Sequence, residues 1–233
     1  MKTLIIGDIH GEWGPLNKLI NKQSSDIILS TGDFGYWPHF HHKTDLLPRG
    51  QVFDQYGIKN VQNDHITKIH WCGGNHENWD ELKKFGYTPT PIMPAVIFQP
   101  FGTTIEIDGK TILFAGGAES TDKAWRVLGE SWWPDEIITR KDMDNLPDME
   151  IDIVISHTVP RKFFHEAYPE FFIYHEEKLN DPSTFALDIV FDKYKPKQWF
   201  SGHFHHYMKG TIEGCEWVGL DMADNIGRWW IKL

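Results

Sequence analysis

The chain has 233 residues, a length that fits one large domain and leaves enough chain for a substantial hydrophobic core. Hydrophobic residues make up 40% of it and charged residues 24%, which argues against a disordered protein. The formal net charge of −10 argues against binding of nucleic acid or anionic membranes through bulk charge alone.

Cysteine content and the N-terminus both bear on the location of the protein. Two cysteines, Cys72 and Cys215, cannot form a disulfide framework, so a reducing compartment is expected. The apolar run near the N-terminus is too short for a signal peptide, and no apolar stretch reaches the roughly 18 residues of a membrane span. We therefore predict a cytoplasmic protein with no membrane partner. The 13 histidines of this acidic chain raise the question of whether they hold cations.

The first part of the chain alternates between apolar runs, loops and segments with helical spacing. Apolar runs at residues 2–7, 26–31 and 69–72 predict strands. Apolar residues at helical spacing over 13–22, and a further segment from about 78 to 85, predict helices. Strand, loop and helix in repeated order indicate parallel strands joined by crossover helices.

The rest of the chain predicts a second sheet. An Asp108-Gly109 pair between two apolar runs indicates a hairpin turn. The predicted strands are 104–107, 111–115, 151–156, 198–201, 209–212, 215–220 and 228–233, the last three antiparallel, and the predicted helix is 181–193. An insertion rich in tryptophan and acidic residues is expected at about 117–147. We predict one α/β domain over residues 1–233 with two sheets.

Polar side chains that suit metal ions follow the predicted strands. They are Asp8, His10, Asp33, Asn75, His76, His157, His203 and His205. Because the carboxyl ends of parallel strands meet at one edge of a sheet, these side chains are expected to converge. They are too many for one tetrahedral ion and suit two divalent cations that share a bridging carboxylate, about 3.5–4 Å apart. The absence of thiolates favours Mn, Fe, Zn or Mg over a structural zinc site.

Each of these short patterns is weak evidence by itself. A Gly-Asp at a strand end is usually only a turn. The pair His203 and His205 is stronger, because alternate residues of an extended segment face the same way, yet a solvated loop remains the ordinary interpretation. The hypothesis of a metal site depends on the order and completeness of the whole set of residues.

Five short sequence blocks contain these residues. In chain order they are GDIHG at 7–11, GDFG at 32–35, GGNHE at 73–77, SHTVP at 156–160 and GHFHH at 202–206. Together they resemble the calcineurin-like metallophosphoesterase superfamily, in particular its bacterial and phage-type members. The resemblance implies an α/β fold in which a two-sheet β-sandwich is flanked by helices. It also implies a dinuclear metal site at the C-terminal ends of the strands.

The resemblance assigns a role to each residue. It implies one cation held by Asp8, His10, Asp33 and His205, and a second held by Asp33, Asn75, His157 and His203. His76 is implied to be the catalytic residue over the scissile phosphate and not a ligand. Mn²⁺ is the expected metal, with Fe, Zn, Mg and Ni as alternatives.

The chemistry of phosphoester hydrolysis agrees with these roles. Two cations neutralise phosphate charge and lower the pKa of a bridging water, which supplies hydroxide for in-line attack on phosphorus. The leaving alkoxide then needs a proton. His76 follows a ligand and faces the other way, so it is placed to act as the general acid.

One departure from the family pattern narrows the substrate. In the Ser/Thr protein phosphatase branch, the second block continues to an Asp-Arg-Gly element whose Asp pairs with the catalytic His. Here the chain reads Phe34-Gly35-Tyr36 after Asp33, without that element. Glu77 or the Tyr36 hydroxyl is therefore expected to orient His76. A nucleotide or other small phosphoester is favoured, and a Ser/Thr protein phosphatase remains the alternative.

Three further residues are predicted to contact substrate. Arg126 is a candidate phosphate clamp, because a guanidinium matches two phosphate oxygens; the alternative is a surface salt bridge to Asp135 or Glu136. Tyr36 and His39 follow the second block and are candidates for lining the substrate entrance, although a solvated loop is the ordinary interpretation of a histidine cluster there.

A second class of function is a metal-binding scaffold that recruits phosphorylated partners without catalysis. A scaffold would be free to lose the general acid, and this chain retains His76. The expected partner is therefore a phosphoester substrate, with nucleic acid involved only as substrate. The oligomeric state is not predicted.

Overall fold

The computed structural model describes residues 1–38, 61–62, 65–167, 180–223 and 228–233. Its strands are β1 (Thr3–Ile6), β2 (Ile27–Ser30), β3 (Val61–Gln62), β4 (His65–Ile66), β5 (Lys68–Trp71), β6 (Thr90–Met93), β7 (Val96–Phe98), β8 (Thr104–Ile107), β9 (Lys110–Ala115), β10 (Ile153–Ser156), β11 (Gln198–Ser201), β12 (Met208–Ile212), β13 (Cys215–Gly219) and β14 (Trp230–Lys232). Its α-helices are α1 (Trp13–Gln23), α2 (Trp79–Leu82), α3 (Arg140–Asp144), α4 (Arg161–Ala167) and α5 (Pro182–Tyr194). Three 3₁₀ turns lie at Lys83–Phe85, Lys123–Trp125 and Pro134–Glu136. Among the helices of these ranges, none has both the length and the apolar character needed to cross a membrane.

Two mixed sheets of six strands each dominate the described part of the chain. The first sheet has the order β14-β1-β2-β5-β7-β6, and the second has the order β12-β13-β11-β10-β9-β8. In each sheet the four inner strands are parallel and the two edge strands are antiparallel. The inner strands of each sheet therefore end at one common edge.

The sheets pack face to face and helices cover their outer faces. Apolar side chains from both sheets form the layer between them, including Ile5, Leu29, Ile112, Ile155 and Phe200. Helix α1 packs on the first sheet, and helices α4 and α5 pack on the second. The predicted fold class, an α/β fold with a two-sheet sandwich flanked by helices, is confirmed.

Local signals explain where several elements begin and end. Helix α1 buries Leu16, Leu19 and Ile20 at helical spacing, and it ends at Ser24, whose φ of 45° is left-handed. Asp181 caps α5 by accepting a hydrogen bond from the Ser183 amide at 2.7 Å, with a proline at the first helical position. The apolar spacing predicted α1, and the Asp181-Pro182 start predicted α5.

The structure corrects the sequence prediction in the strand pairing near the C-terminus. Strand β14 does not join β12 and β13; it pairs antiparallel with β1, in the first sheet. Strand β13 pairs antiparallel with β12 but parallel with β11. Strands β6 and β7 were not predicted. Pro91 interrupts the strand pattern of β6, and such a proline is tolerated at the sheet edge that β6 occupies.

His70 gives the folded state a measurable dependence on pH. It lies on β5, its Nδ1 atom is 2.9 Å from the Gln99 amide nitrogen, and burial lowers its pKa to about 4, with a smaller contribution from Lys68. The unfolded chain binds a proton at this residue near pH 6.5. From pH 6.5 down to about 4, proton uptake therefore favours the unfolded chain, by at most about 1.4 kcal/mol per pH unit.

We expect His70→Asn to flatten this dependence, because asparagine keeps an acceptor for Gln99 but does not titrate. Urea denaturation of the wild type and the variant at several values between pH 7 and 4.5 measures the difference. Equal slopes of unfolding free energy against pH would contradict the assignment of the titration to His70.

Candidate metal centre

The loops that follow the inner strands of both sheets meet at one edge of the sandwich. The structure brings together there all seven predicted metal ligands and His76. Strands β1, β2 and β5 of the first sheet and strands β10 and β11 of the second lead into these loops. Asp8, Asp33 and His157 are at most 1% exposed, so two carboxylates and an imidazole are buried side by side.

One group of side chains could hold a cation between four donor atoms. Asp8, His10, Asp33 and His205 each offer an atom within 4.8 Å of the others. The Nε2 atoms of His10 and His205 lie 3.0 Å apart, and Nε2 of His205 lies 3.1 Å from Oδ2 of Asp8. Two imidazole nitrogens and two carboxylates that face the same small space suit a borderline divalent ion.

A second group lies beside the first and centres on the Asn75 amide oxygen. Nε2 of His157 and Nδ1 of His203 each lie 2.9 Å from Oδ1 of Asn75. Nε2 of His157 also lies 3.3 Å from Oδ1 of Asp33. Two imidazoles, an amide oxygen and a carboxylate oxygen therefore point toward one another.

Asp33 faces both groups with different oxygens. Its Oδ1 atom faces His157, and its Oδ2 atom lies 3.6 Å from Nε2 of His10. A carboxylate that offers one oxygen to each of two adjacent donor sets could bridge two cations.

Main-chain groups fix the directions of these side chains. The carbonyl oxygen of Thr31 lies 2.9 Å from Nδ1 of His157, which orients its Nε2 atom toward the donor sets. The amide of His203 donates to Oδ2 of Asp8 at 2.9 Å, and the amide of His76 donates to Oδ1 of Asp33 at 2.8 Å. Each carboxylate is thereby held by a strand-end loop other than its own.

Two glycines of the sequence blocks are required for this packing. A Cβ atom on Gly74 would collide with Oδ1 of Asp33, and one on Gly202 would collide with Oδ1 of Asp8. The glycines of GGNHE and GHFHH therefore allow the loops to approach the carboxylates closely.

The backbone of the centre is strained at four residues. His10, Asp33, His203 and His205 have φ between 44° and 69°, in the left-handed region. Each such non-glycine residue costs roughly 1–2 kcal/mol. The surrounding hydrogen bonds and packing offset this cost, a pattern that is common at functional sites.

The charges of the centre favour occupation by cations. Burial by itself would raise the pKa of Asp33, but the imidazoles around it, His157 foremost, hold that pKa well below its usual range. Burial would likewise lower the pKa of His157, and Asp33 raises it to about 9. Within the part of the chain that the structure describes, the ion-pair partners of Asp8 and Asp33 are imidazoles. Divalent cations can replace these protons as the countercharge, so the residues present fit a metal centre.

His76 contacts Arg126 at the mouth of the centre. Nη2 of Arg126 lies 2.6 Å from Nδ1 of His76 and 2.9 Å from Oδ2 of Asp122. Burial lowers the pKa of His76 well below its usual range, and His10 and Arg126 lower it further, against the opposing effect of the Asp33 carboxylate. The Arg126 side chain is only 7% exposed, so neither predicted alternative, a surface bridge to Asp135 or to Glu136, describes its position.

Glu77 does not orient His76 as the sequence predicts. Its carboxylate accepts hydrogen bonds from the amides of Phe34 at 2.7 Å, Gly35 at 3.1 Å and Tyr36 at 2.6 Å. Burial raises its pKa to about 8. Glu77 thus holds the loop that carries Asp33, whereas the His76 ring contacts Arg126 and the ring of His10.

A family model described as calcineurin-like phosphoesterase matches residues 1–207. The chain belongs to the calcineurin-like phosphoesterase family. Membership of this phosphoesterase family confirms the predicted resemblance and supports a hydrolase of phosphoric esters. The family is metal-dependent, and this chain has a cluster that could bind a metal, formed by Asp8, His10, Asp33 and His205.

Similar proteins include one curated relative and one solved structure. The chain is 23% identical over 230 residues to the lariat debranching enzyme of Schizosaccharomyces pombe, a match that covers 88% of this chain and 48% of that protein. The chain thus spans about half the length of that relative. The structure of phosphopantetheinyl hydrolase from Mycobacterium tuberculosis has a TM-score of 0.51 and 15% identity, with 100% of this chain and 95% of that chain covered. This second likeness shows a shared fold.

Tyr36, one of the residues predicted to contact a phosphoester substrate, is buried in the structure. Tyr36 is 7% exposed, and its ring packs against Trp71 and Phe85 in the core on the first sheet. This burial does not favour the predicted substrate contact, nor the predicted role of its hydroxyl beside His76. His39 lies outside the described residues.

Sequence reasoning missed three residues around the phosphoesterase centre. They are Asp122, Ser120 and Glu136, all in the connection between β9 and β10. Ser120 and Asp122 follow a strand that ends at the same edge, which is the signal that could have found them. Glu136 lies in a 3₁₀ turn without any periodic pattern, and burial raises its pKa to about 7.

Proposed function

We propose that the chain is a dinuclear metal-dependent phosphoesterase that hydrolyses phosphomonoesters or phosphodiesters, with nucleotides or other small phosphoesters favoured. The observation that carries the proposal is the position of Asp33 between two donor sets, one with Asp8, His10 and His205 and the other with Asn75, His157 and His203. The mixed oxygen and nitrogen donors suit borderline divalent ions, of which Mn²⁺ is our first choice.

The bound cations would neutralise phosphate charge and lower the pKa of a water molecule enough to generate the nucleophile. The residues of the chain have separate tasks. Arg126, buried against His76, binds a phosphate oxygen through its guanidinium group. His76 lies beside the candidate ligands without belonging to either set, and the negative charge of a bound phosphoester raises its low pKa, so that it can supply the proton that the leaving oxygen needs. Asp122 holds Arg126 in place.

The same residues favour this proposal over its alternatives. A Ser/Thr protein phosphatase of this family has an Asp-Arg-Gly element after the second block, whereas here Phe34, Gly35 and Tyr36 occupy that position and donate to Glu77. The arginine next to His76 comes instead from the insertion. A scaffold without catalysis would not need a buried Arg126 against His76.

Two observations guide the choice of substrate and location. The name of the curated relative, lariat debranching enzyme, adds a lariat diester to the substrates worth testing. Both cysteines, Cys72 and Cys215, are buried and free, which supports the proposed reducing cytoplasmic location.

We expect the purified chain, loaded with Mn²⁺, to hydrolyse nitrophenyl phosphate esters, and chelation to abolish the activity. Readdition of Mn²⁺ to the chelated sample is the control for damage to the protein. A panel of phosphopeptides, cyclic nucleotides, nucleoside phosphates, single-stranded DNA and a lariat diester then separates the substrate classes. A folded, metal-loaded chain without turnover on any monoester or diester would contradict the proposal and favour the scaffold.

A further inference from the structure

A buried chain of hydrogen bonds leads from the insertion to the amide of Asn75. Nδ2 of Asn75 lies 3.2 Å from Oγ of Ser120, and that hydroxyl lies 2.9 Å from Oε2 of Glu136. Asn75, Ser120 and Glu136 are at most 3% exposed, so these bonds are shielded from water. The three residues belong to two segments far apart in sequence.

The chemistry of the groups sets the direction of each bond. An ionised carboxylate only accepts hydrogen bonds, so the Ser120 hydroxyl donates its proton to Glu136. The hydroxyl oxygen then accepts from Nδ2 of Asn75, which is the donor end of the amide. Oδ1 of Asn75 must therefore point the other way, toward His157 and His203 at 2.9 Å each.

The opposite orientation of this amide would place two N–H groups where a cation needs an oxygen. Nothing in the shape of an asparagine side chain distinguishes the two orientations, because its oxygen and nitrogen are nearly the same size. The distinction has to come from the neighbours of the amide. Ser120 provides it on one side, and Glu136 determines the direction in which Ser120 donates.

Glu136 is itself held firmly. Its Oε1 atom accepts from the amide of Ser120 at 2.5 Å and from the indole nitrogen of Trp132 at 2.9 Å. Its carbonyl oxygen also accepts from the amide of Ala118 at 3.0 Å. The carboxylate is therefore fixed by the insertion before any ligand binds.

We propose that Glu136, acting through Ser120, is a positioning residue that holds the Asn75 oxygen toward the second cation, so that the insertion sets the affinity of that cation. The inference rests on the proposed dinuclear centre. Groups that orient a metal ligand typically change metal affinity by about 10- to 100-fold when they are removed.

The sharpest test is Glu136→Gln, which keeps the size of the side chain. It reverses the hydrogen bond between this side chain and the Ser120 hydroxyl. The glutamine oxygen stays where Ser120 and Trp132 donate to Oε1, which leaves the amide nitrogen at the position of Oε2. That nitrogen donates to the Ser120 hydroxyl, which turns its proton toward Asn75 and favours the wrong orientation of the amide. The variant Ser120→Ala removes the hydroxyl that links Glu136 to Asn75. Glu119→Gln is a matched control in the same loop.

Calorimetric titration with Mn²⁺ alone at pH 8, above the pKa of Glu136, measures both binding sites without relying on activity. We expect Glu136→Gln and Ser120→Ala to weaken the second cation about 10- to 100-fold and to leave the first unchanged. The double variant should match Ser120→Ala, because Glu136 acts only through the hydroxyl. Thermal denaturation of the metal-free proteins reports whether each variant is folded. If Glu136→Gln does not fold, Ser120→Ala still tests the link between Glu136 and Asn75.

Three results would overturn the inference. Normal binding of both cations by the folded variants would show that Glu136 and Ser120 do not orient Asn75. Equal weakening of both cations would indicate a general loss of structure. A wild-type chain that binds a single Mn²⁺ would contradict the dinuclear centre itself, and with it this inference.

Discussion

Replacing His76 with alanine is expected to lower kcat on an alkyl phosphoester by about 10²- to 10⁴-fold, the usual contribution of a general acid. The side chain contacts Arg126 and belongs to neither donor set, so the number of bound cations should stay the same. The expected loss depends on the leaving group. An alkoxide needs a proton to depart, whereas a nitrophenolate is stable without one, so nitrophenyl esters should lose much less activity.

The control for this prediction is His206→Ala, which removes an exposed imidazole next to a candidate ligand. It should change neither kcat nor metal content. Elemental analysis of both variants, together with kcat for alkyl and nitrophenyl esters, gives the full comparison. Loss of a cation from His76→Ala would mean that His76 is a ligand. An equal loss of activity on both kinds of ester would argue against proton transfer and favour a role in binding phosphate.

Asp33→Asn is expected to remove at least one of the two cations and to lower turnover by about 10³-fold or more. The carboxylate faces both donor sets, and the amide that replaces it has one oxygen and no charge. Two-metal centres contribute several kcal/mol to the stabilisation of the transition state, and about 1.4 kcal/mol corresponds to a factor of ten in rate.

Metal analysis after gel filtration and calorimetric titration with Mn²⁺ measure the expected loss. The control is Asp135→Asn, which removes an exposed carboxylate that pairs with Lys83. It should bind metal and turn over substrate like the wild type. Two tightly bound cations in Asp33→Asn would show that Asp33 does not bridge them, whatever the activity of that variant.

Much of the candidate centre could be predicted from sequence. Residues that follow parallel strands of one sheet converge on one edge, so Asp8, Asp33 and Asn75 could be grouped before their distances were known. His157 and His203 follow strands of the second sheet, and the resemblance carried by the five sequence blocks joined them to this group. Apolar spacing likewise predicted α1, and the Asp-Pro start predicted α5. These signals each lie within one short segment of the chain, and the packed fold keeps the helices that they predict.

The parts that sequence did not predict depend on contacts between distant segments. Strand β14 has the same local pattern as its neighbours, and only the open edge beside β1 determines where it pairs. The contacts of Arg126 with His76 and of Ser120 with Asn75 join the insertion to the GGNHE block. Short 3₁₀ turns carry no periodicity, so nothing local indicates which of their side chains are buried.

The candidate ligands come from both sheets, and this has a consequence for assembly. Loops of the first sheet supply Asp8, Asp33 and Asn75, whereas loops of the second supply His157 and His203. Cations bound at this edge would cross-link the two layers of the sandwich. A nascent chain that has not yet reached β10 would hold carboxylates without the imidazoles that complete each set. Full metal loading would therefore require both layers, and tight binding would report that they have joined correctly.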